Sequence, residues 1–255
     1  MNSQIKSLLI LLNVCIVIVT YAISPIDLTL ASQPVRKLDL AAITQMPADT
    51  VALPDTTVVI DKREVDTIPQ RFLFVGDSMV EPIAHHFWNY AQANGHQLYT
   101  VTWYSSTSYS WSGTKTLDHF IQEVKPTYVV LCMGSNELFT KDMNRVSKNM
   151  TMIKEKIGSL PYIFIGPPNW KPDHGYNDQI IKEVGADRFF DSREMQMERG
   201  RDHIHPTMKG AEVWMNQIAQ WMNSDMCQHP VQMNQPTEKS FIQNLTVMQS
   251  KDKGY

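Results

Sequence analysis

Hydrophobic and polar positions alternate from about Arg71 to Met222 in a pattern that predicts strands followed by helices. Short apolar runs predict strands at residues 71–75, 97–102, 128–133 and 162–165, with a shorter fifth strand at 188–190. Apolar residues at helical spacing predict helices at residues 80–93, 114–124, 141–157, 177–184 and 207–222. Because strand and helix alternate, we expect an α/β fold, with helices on both faces of a mostly parallel central sheet.

Residues 1–70 lack this alternation and predict a separate N-terminal part. An apolar stretch from Leu8 to Ile23 follows Lys6, a pattern typical of a signal peptide or a signal anchor over residues 1–23. Cleavage and anchoring both remain open, because the stretch is slightly short for a membrane span and its small-residue cleavage site is modest. We expect residues 24–70, with repeated Pro, Asp and Thr, to be an extracytoplasmic linker or stalk.

These N-terminal features predict export to the periplasm or cell envelope, with anchoring in the inner membrane as an alternative. The folded domain should span residues 71–224. Residues 225–255 are rich in Gln, Asn, Met and Lys without a clear period, so we expect a poorly ordered tail.

Composition and charge narrow the classes of partner. The 255 residues are 43% hydrophobic, enough for one substantial core. The formal net charge is -3 and no Lys/Arg cluster dominates, which argues against nucleic acid and favours a small or neutral partner. The cysteines, Cys15, Cys132 and Cys227, are too scattered for a disulfide framework or a zinc site. We therefore expect neither a metal nor another cofactor.

Ser78 is the first candidate for chemistry. It follows the predicted strand at 71–75, which places its hydroxyl at an exposed strand-to-helix turn. A serine hydroxyl is a poor nucleophile unless a histidine takes its proton and a carboxylate orients that histidine. Asp202 and His205, near the far end of the chain, supply both groups from one short segment. Because ligands bind at the carboxyl ends of parallel strands, this arrangement predicts a hydrolase site.

Separated blocks between Arg71 and Met222 resemble those of the SGNH or GDSL hydrolases, a family of serine esterases and lipases. The blocks are Gly76-Asp77-Ser78, Ser112-Gly113-Thr114, Gly134-Ser135-Asn136-Glu137 and Asp202-x-x-His205-Pro206. The resemblance implies a three-layer α/β/α sandwich of flavodoxin-like architecture, which agrees with the predicted strands and helices.

The same resemblance implies a role for each matching residue. Ser78 would be the nucleophile, His205 the general base, and Asp202 the carboxylate that orients the histidine. The oxyanion hole would consist of the backbone N–H of Ser78, the backbone N–H of Gly113 and the side-chain amide of Asn136. No metal takes part.

The sequence departs from the family pattern in two places. Glu137 stands where aspartate is commoner, at a position that we interpret as a support for loop geometry. The second block is less distinct, because residues 104–110 are rich in Ser, Thr and Tyr. Ser105 or Ser106 could therefore supply the oxyanion amide instead of Gly113.

Aromatic residues after the second strand are candidates for substrate binding. Trp103, Tyr104 and Trp111, together with Tyr109, could form a sugar-stacking wall at the cleft or could be ordinary core aromatics, and the sequence leaves both interpretations open. His203 is a further candidate for a surface or substrate contact.

Together these observations predict an exported serine esterase that removes O-acyl groups, acetyl in particular, from carbohydrate. Its partner would be an acylated small molecule or glycan. A second hypothesis is a membrane-anchored O-acyltransferase, or an accessory protein that works with a membrane-bound O-acyltransferase on extracellular polysaccharide. A third is a lipase or lysophospholipase, although no long apolar lid segment is evident. A non-catalytic glycan-binding module is the last alternative.

Overall fold

The computed structural model describes residues 63–255. It also describes Tyr21 and two short segments that lie between Tyr21 and residue 63. Those segments, Thr29–Leu30 and Gln33–Pro34, pair as antiparallel strands. The chain divides into two compact units, Met1–Val59 and Ile60–Tyr255. The predicted signal or anchor, apart from Tyr21, and most of the predicted linker lie outside the described residues. Within the described part of the chain, no helix combines the length and the apolar character that a membrane crossing requires.

The second unit alternates strands and helices, which we number in chain order. The strands are β1 (Arg71–Gly76), β2 (Gln97–Trp103), β3 (Tyr128–Cys132), β4 (Tyr162–Ile165), β5 (Phe189–Phe190) and β6 (Leu245–Met248). The helices are α1 (Val80–Ala93), α2 (Ser108–Gly113), α3 (Thr116–Val124), α4 (Met143–Ile157), α5 (Tyr176–Val184) and α6 (Met208–Met222), with a 3-10 turn at Ala186–Arg188. Strands β1 to β5 and all the helices except α2 confirm the predicted elements to within two residues at each end.

The strands form one six-stranded parallel sheet in the order β5-β4-β3-β1-β2-β6. Strand β1 lies near the middle, paired with β2 on one side and β3 on the other. The chain therefore reverses its direction of travel across the sheet between β1 and β3. Ligands bind beyond the carboxyl ends of the strands at such a switch point.

Alternate residues of β1 divide the core into two layers. Phe72 and Phe74 face the cluster that contains apolar residues of α1 and α6, whereas Leu73 and Val75 face the cluster formed with α2 to α5. None of these four side chains is exposed to solvent. Because both faces of the sheet are covered by helices, the fold is an α/β three-layer sandwich, as the sequence predicts.

The prediction of a poorly ordered tail over residues 225–255 is wrong. Strand β6 pairs in parallel with β2 and forms one edge of the sheet. Cys227, Val231 and Met233 are buried against the same cluster as α1 and α6. The compact unit accordingly reaches Tyr255 rather than ending at residue 224. These apolar residues are isolated in the sequence and show no local period, so their burial is set by contacts with distant residues.

Met248 and Val247 provide a test of the ordered tail, because they lie side by side on β6 and face opposite ways. Met248 is 7% exposed and packs in the core, whereas Val247 is 40% exposed. We expect Met248→Ala to lower the free energy of unfolding by about 2 kcal/mol, and Val247→Ala to change it by less than about 0.5 kcal/mol. Urea denaturation of both variants measures the difference. Equal small effects would contradict the packed strand.

Candidate active site

Ser78 lies in the turn between β1 and α1, at the carboxyl end of the central strand. The turn is tight because β1 and β3 approach closely there. A Cβ atom at Gly76 would lie 1.6 Å from the carbonyl oxygen of Cys132, so only glycine fits. The N–H of Val80 donates to the carbonyl of Asp77 at 3.1 Å and begins the helix directly after the serine.

The buried carboxylate of Asp77 joins this turn to the segment that follows β3. Its Oδ1 accepts the N–H of Met79 at 3.0 Å, and its Oδ2 accepts the N–H groups of Gly134 and Ser135, each at 3.0 Å. Burial raises the pKa of Asp77 to about 6, although these N–H groups act in the opposite direction. The carboxylate thus fixes the first and third sequence blocks against each other.

The structure brings Ser78, His205 and Asp202 into one hydrogen-bonded chain. Nε2 of His205 lies 2.8 Å from Oγ of Ser78, and Nδ1 of His205 lies 2.7 Å from Oδ2 of Asp202. The hydrogen bond with His205, helped by the N–H of Ile204, lowers the pKa of Asp202 to about 2. Because an ionised carboxylate only accepts, Nδ1 carries the proton and Nε2 is left to accept the serine hydroxyl.

The segment that carries Asp202 and His205 is held by backbone hydrogen bonds on both sides. The N–H of Gly200 donates to the carbonyl of His205 at 2.8 Å, and the N–H of Thr207 donates to the carbonyl of Glu198 at 3.0 Å. The hydroxyl of Thr207 also caps helix α6 by accepting the N–H of Gly210 at 3.1 Å. The histidine therefore sits on a short, fixed loop at the start of a helix.

A cavity of about 540 Å³ opens beside Ser78. It is lined by residues of α1, of the turn after β2 and of the histidine segment: Ser78, Glu81, Pro82, His85, Tyr104, Ser105, His205 and Met208. The hydroxyl of Tyr104 donates to the carboxylate of Glu81, and this bond raises the pKa of Tyr104 to about 12. Glu81 and His85 are cavity residues that were not predicted from the sequence. Their spacing from Ser78, three and seven positions, is the helical spacing that brings side chains to the same side and could have indicated them.

The structure places Ser105, rather than Gly113, at the cavity of Ser78. Gly113 ends helix α2 and is not among the residues that line the cavity of Ser78. Ser105 does line that cavity, in a left-handed backbone conformation with φ of 61°. Within the described residues, no group accepts the backbone N–H of Ser105 or of Ser78. The N–H of Ser106 is already used, because it donates to the carbonyl of Trp103 at 3.1 Å.

Asn136 lies on the other side of this turn. Its Nδ2 donates to the carbonyl of Ser106 at 3.0 Å, which leaves its second N–H without a partner among the described residues. Glu137 supports the same region, since its two carboxylate oxygens accept the N–H and the hydroxyl of Ser108 at 2.6 and 2.8 Å. Burial raises the pKa of Glu137. These contacts agree with the interpretation of Glu137 as a support for loop geometry.

The candidate substrate-binding residues divide into two groups. Trp103 and Trp111 are buried, with ring centroids 5.6 Å apart, so their interpretation as a sugar-stacking wall is wrong and they are core aromatics. The indole N–H of Trp111 donates to the hydroxyl of Ser106 at 3.0 Å and supports the turn from inside. Tyr104 lines the cavity. His203 is exposed and lies outside the cavity lining.

The chemistry available is nucleophilic, with proton transfer through one histidine. Within the described part of the chain, no cluster of His, Cys, Asp and Glu side chains has the makings of a metal site. The groups that can react at the cavity are the hydroxyl of Ser78 and the oriented imidazole of His205. Nearby N–H donors have no acceptor among the described residues. That set is what acyl transfer through a covalent serine intermediate requires.

Comparisons with known proteins give no family for this chain. No protein-family model matches it, and no curated protein matches it. Among solved structures, the chain is similar to one described as a gut microbial diltiazem-metabolizing enzyme, with a TM-score of 0.49 and 16% sequence identity. The match covers 62% of this chain and 48% of that one, so the chain spans about half the length of that structure.

Asp77 makes the stability of the fold depend on pH. Its pKa of about 6 in the folded state exceeds the ordinary value of 3.8, so the folded state retains a proton that the unfolded state releases. The resulting stabilisation is complete below about pH 4 and is lost as the pH rises through 6, a loss of about 3 kcal/mol by pH 7. We expect Asp77→Asn to remove this part of the pH dependence.

Urea denaturation from pH 4 to pH 7, compared between wild type and Asp77→Asn, measures that loss. Asp225→Asn, a change at an exposed carboxylate, should keep the wild-type slope. Carbon-13 NMR of the Asp77 carboxyl group in the wild type measures its titration directly. An unchanged slope in Asp77→Asn, or a carboxyl titration near pH 4, would contradict the assignment.

Proposed function

We propose that this protein is an exported serine esterase of the SGNH or GDSL type that removes O-acyl groups, acetyl in particular, from carbohydrate. The observation that carries the proposal is the hydrogen-bonded chain from Asp202 through His205 to Ser78, which ends at an open cavity. Export to the cell envelope rests on the apolar N-terminal stretch from Leu8 to Ile23.

In the proposed reaction, Oγ of Ser78 attacks the carbonyl carbon of the ester while Nε2 of His205 takes the hydroxyl proton. The tetrahedral intermediate then collapses, and His205 returns that proton to the leaving alcohol as the carbon–oxygen bond breaks. A water molecule, deprotonated by His205, attacks the acyl-serine and releases the carboxylic acid. Asp202 stays ionised and stabilises the imidazolium at both stages, because its pKa lies at about 2.

The oxyanion of each intermediate needs donors that are free before the reaction. The N–H groups of Ser78 and Ser105 and the second side-chain N–H of Asn136 have no partner among the described residues. We assign these groups to the oxyanion hole. Such donors act where water is partly excluded, so each contributes strongly to the rate.

The cavity supports a small acyl group and a polar alcohol. Glu81, Tyr104 and His85 give its wall hydrogen-bonding groups beside the apolar side chains of Pro82 and Met208. A carboxylate beside a tyrosine hydroxyl is suited to bind the hydroxyl groups of a sugar. This wall favours the deacetylase over the lipase hypothesis.

Hydrolysis of p-nitrophenyl acetate, butyrate and octanoate by the purified full chain tests the proposed function. We expect acetate to be cleaved best, and Ser78→Ala and His205→Ala each to lower kcat by at least about 10³-fold, because neither residue can substitute for the other. Ser159→Ala and His174→Ala change exposed residues of the same types and should leave the rate unchanged. Equal activity in wild type and Ser78→Ala would contradict the proposal.

Asn136→Ala tests the oxyanion hole separately. Loss of one donor should lower kcat by about 10²- to 10³-fold, whereas KM should change little, because the donor acts mainly on the intermediate. Steady-state kinetics with p-nitrophenyl acetate gives both constants. Ser112→Ala, in the second block as first aligned, should stay within about two-fold of wild type. A raised KM with an unchanged kcat in Asn136→Ala would contradict the assignment of Asn136 to the oxyanion hole.

A further inference from the structure

A second cavity of about 400 Å³ lies next to the catalytic one, and we call it the aromatic cavity. It is lined by Thr107, Tyr109, Asn136, Glu137, Phe139, Thr140 and Arg145. Asn136 connects the two cavities, because it lines the aromatic cavity and binds the carbonyl of Ser106, whose neighbour Ser105 lines the catalytic cavity. A ligand that extends past the turn at residues 105–107 would therefore reach both.

Aromatic rings are presented to solvent at this second cavity. Tyr109 is 64% exposed and Phe139 is 51% exposed, although both are large and partly apolar. Trp170 lies close by, fixed by its indole N–H, which donates to the hydroxyl and the carbonyl of Ser135 at 3.1 and 3.2 Å. Exposed aromatic groups on loops at the ligand-binding edge of a sheet indicate a binding surface. Sugar rings carry an apolar C–H face that packs on such groups.

Two cationic side chains, Arg145 and Lys171, lie at or beside the aromatic cavity, although the net charge of the whole chain is -3. Nζ of Lys171 lies 4.6 Å from the ring centre of Trp170 and 6.0 Å from that of Phe139. Arg145 lines the cavity and contacts the hydroxyl of Thr140 at 3.5 Å. Within the described residues, neither cation forms an ion pair with a carboxylate.

Glu137, the acidic residue of the cavity lining, is buried and forms no ion pair with Arg145, although the positive charge of Arg145 acts against the rise of its pKa. Both of its carboxylate oxygens already accept hydrogen bonds from Ser108, and the residue is 5% exposed. Arginine binds carboxylates through paired, charge-assisted hydrogen bonds. The cavity therefore presents aromatic faces together with a guanidinium that forms no ion pair among the described residues.

We propose that the aromatic cavity binds an acidic sugar residue of the polysaccharide whose acyl group is removed at Ser78. The sugar ring packs on Tyr109 and Phe139, and its carboxylate binds Arg145 and Lys171. This inference rests on the proposed function, since it names the class of glycan that enters the catalytic cavity. It also accounts for why the aromatic cavity lies beside the oxyanion donor Asn136.

Binding to the full chain carrying Ser78→Ala tests the subsite without catalysis. The probes are an unacylated oligogalacturonate, which is acidic, and a cello-oligosaccharide of the same length, which is neutral. We expect the acidic probe to bind at least about 10-fold more tightly, and the added pair Arg145→Gln and Lys171→Gln to abolish that preference. The matched pair Lys182→Gln and Lys251→Gln removes the same charge from exposed positions and should preserve it. Phe139→Ala should weaken both probes.

The inference is overturned if the neutral probe binds as tightly as the acidic one, or if the two charge-removing pairs behave alike. It is also overturned if polyglutamate of equal charge binds as well as oligogalacturonate, because the cavity would then bind anions without regard to sugar. Hydrolysis of p-nitrophenyl acetate by the unmodified chain tests the esterase activity separately from the sugar-binding subsite. Hydrolysis without acidic-sugar binding refutes the subsite alone, and binding without hydrolysis refutes the esterase.

Discussion

The buried carboxylate of Asp77 is the contact on which the arrangement of the site depends. It lies next to the nucleophile in sequence, yet it accepts N–H groups from both ends of the site, Met79 on one side and Gly134 and Ser135 on the other. Strands β1 and β3 are neighbours in the sheet, although β2 lies between them in the chain. Their carboxyl ends form the switch point of the sheet. Without this carboxylate, nothing polar would pair with the buried N–H groups where the two strands end.

Two aspartates of the site have different roles because their environments differ. Asp77 is fully buried and its pKa rises, so its role is to satisfy backbone donors inside the fold. Asp202 is exposed and hydrogen-bonded to His205, and its pKa falls. The first is a structural acceptor and the second is an orienting anion. Asp77 holds the turn that follows β1, and Asp202 holds the ring of His205.

Much of the fold could be predicted because the central strands are buried on both faces and read as continuous apolar runs. Strand β6 could not be predicted, since it is an edge strand of four residues with polar neighbours, and its pairing with β2 is set by tertiary contact. Helix α2 was missed for a related reason. Its start is stabilised by Glu137, which is distant in sequence from Ser108.

The hydrogen-bonded residues of the site were visible in the sequence because Ser78, Asp202 and His205 each follow a recognisable local pattern. The sequence left three candidates for the second oxyanion donor, Gly113, Ser105 and Ser106, because any residue has a backbone N–H and only the turn decides which one is free. The sequence also left open whether Trp103 and Trp111 are buried or line the cleft, since aromatic residues occur in both cores and clefts. Local pattern thus located the reactive side chains, and the packing of the loops decided the rest.

The central claim is that Ser78 forms a covalent acyl intermediate, and mass spectrometry of the chain during reaction with p-nitrophenyl acetate tests it most directly. Rapid acid quenching followed by peptide mapping locates any acetyl group. The account predicts acetyl on the peptide containing Ser78, absent from Ser78→Ala and accumulating when deacylation is slowed. Turnover without acetyl-Ser78, or acetyl on another residue at the same rate in Ser78→Ala, would contradict it.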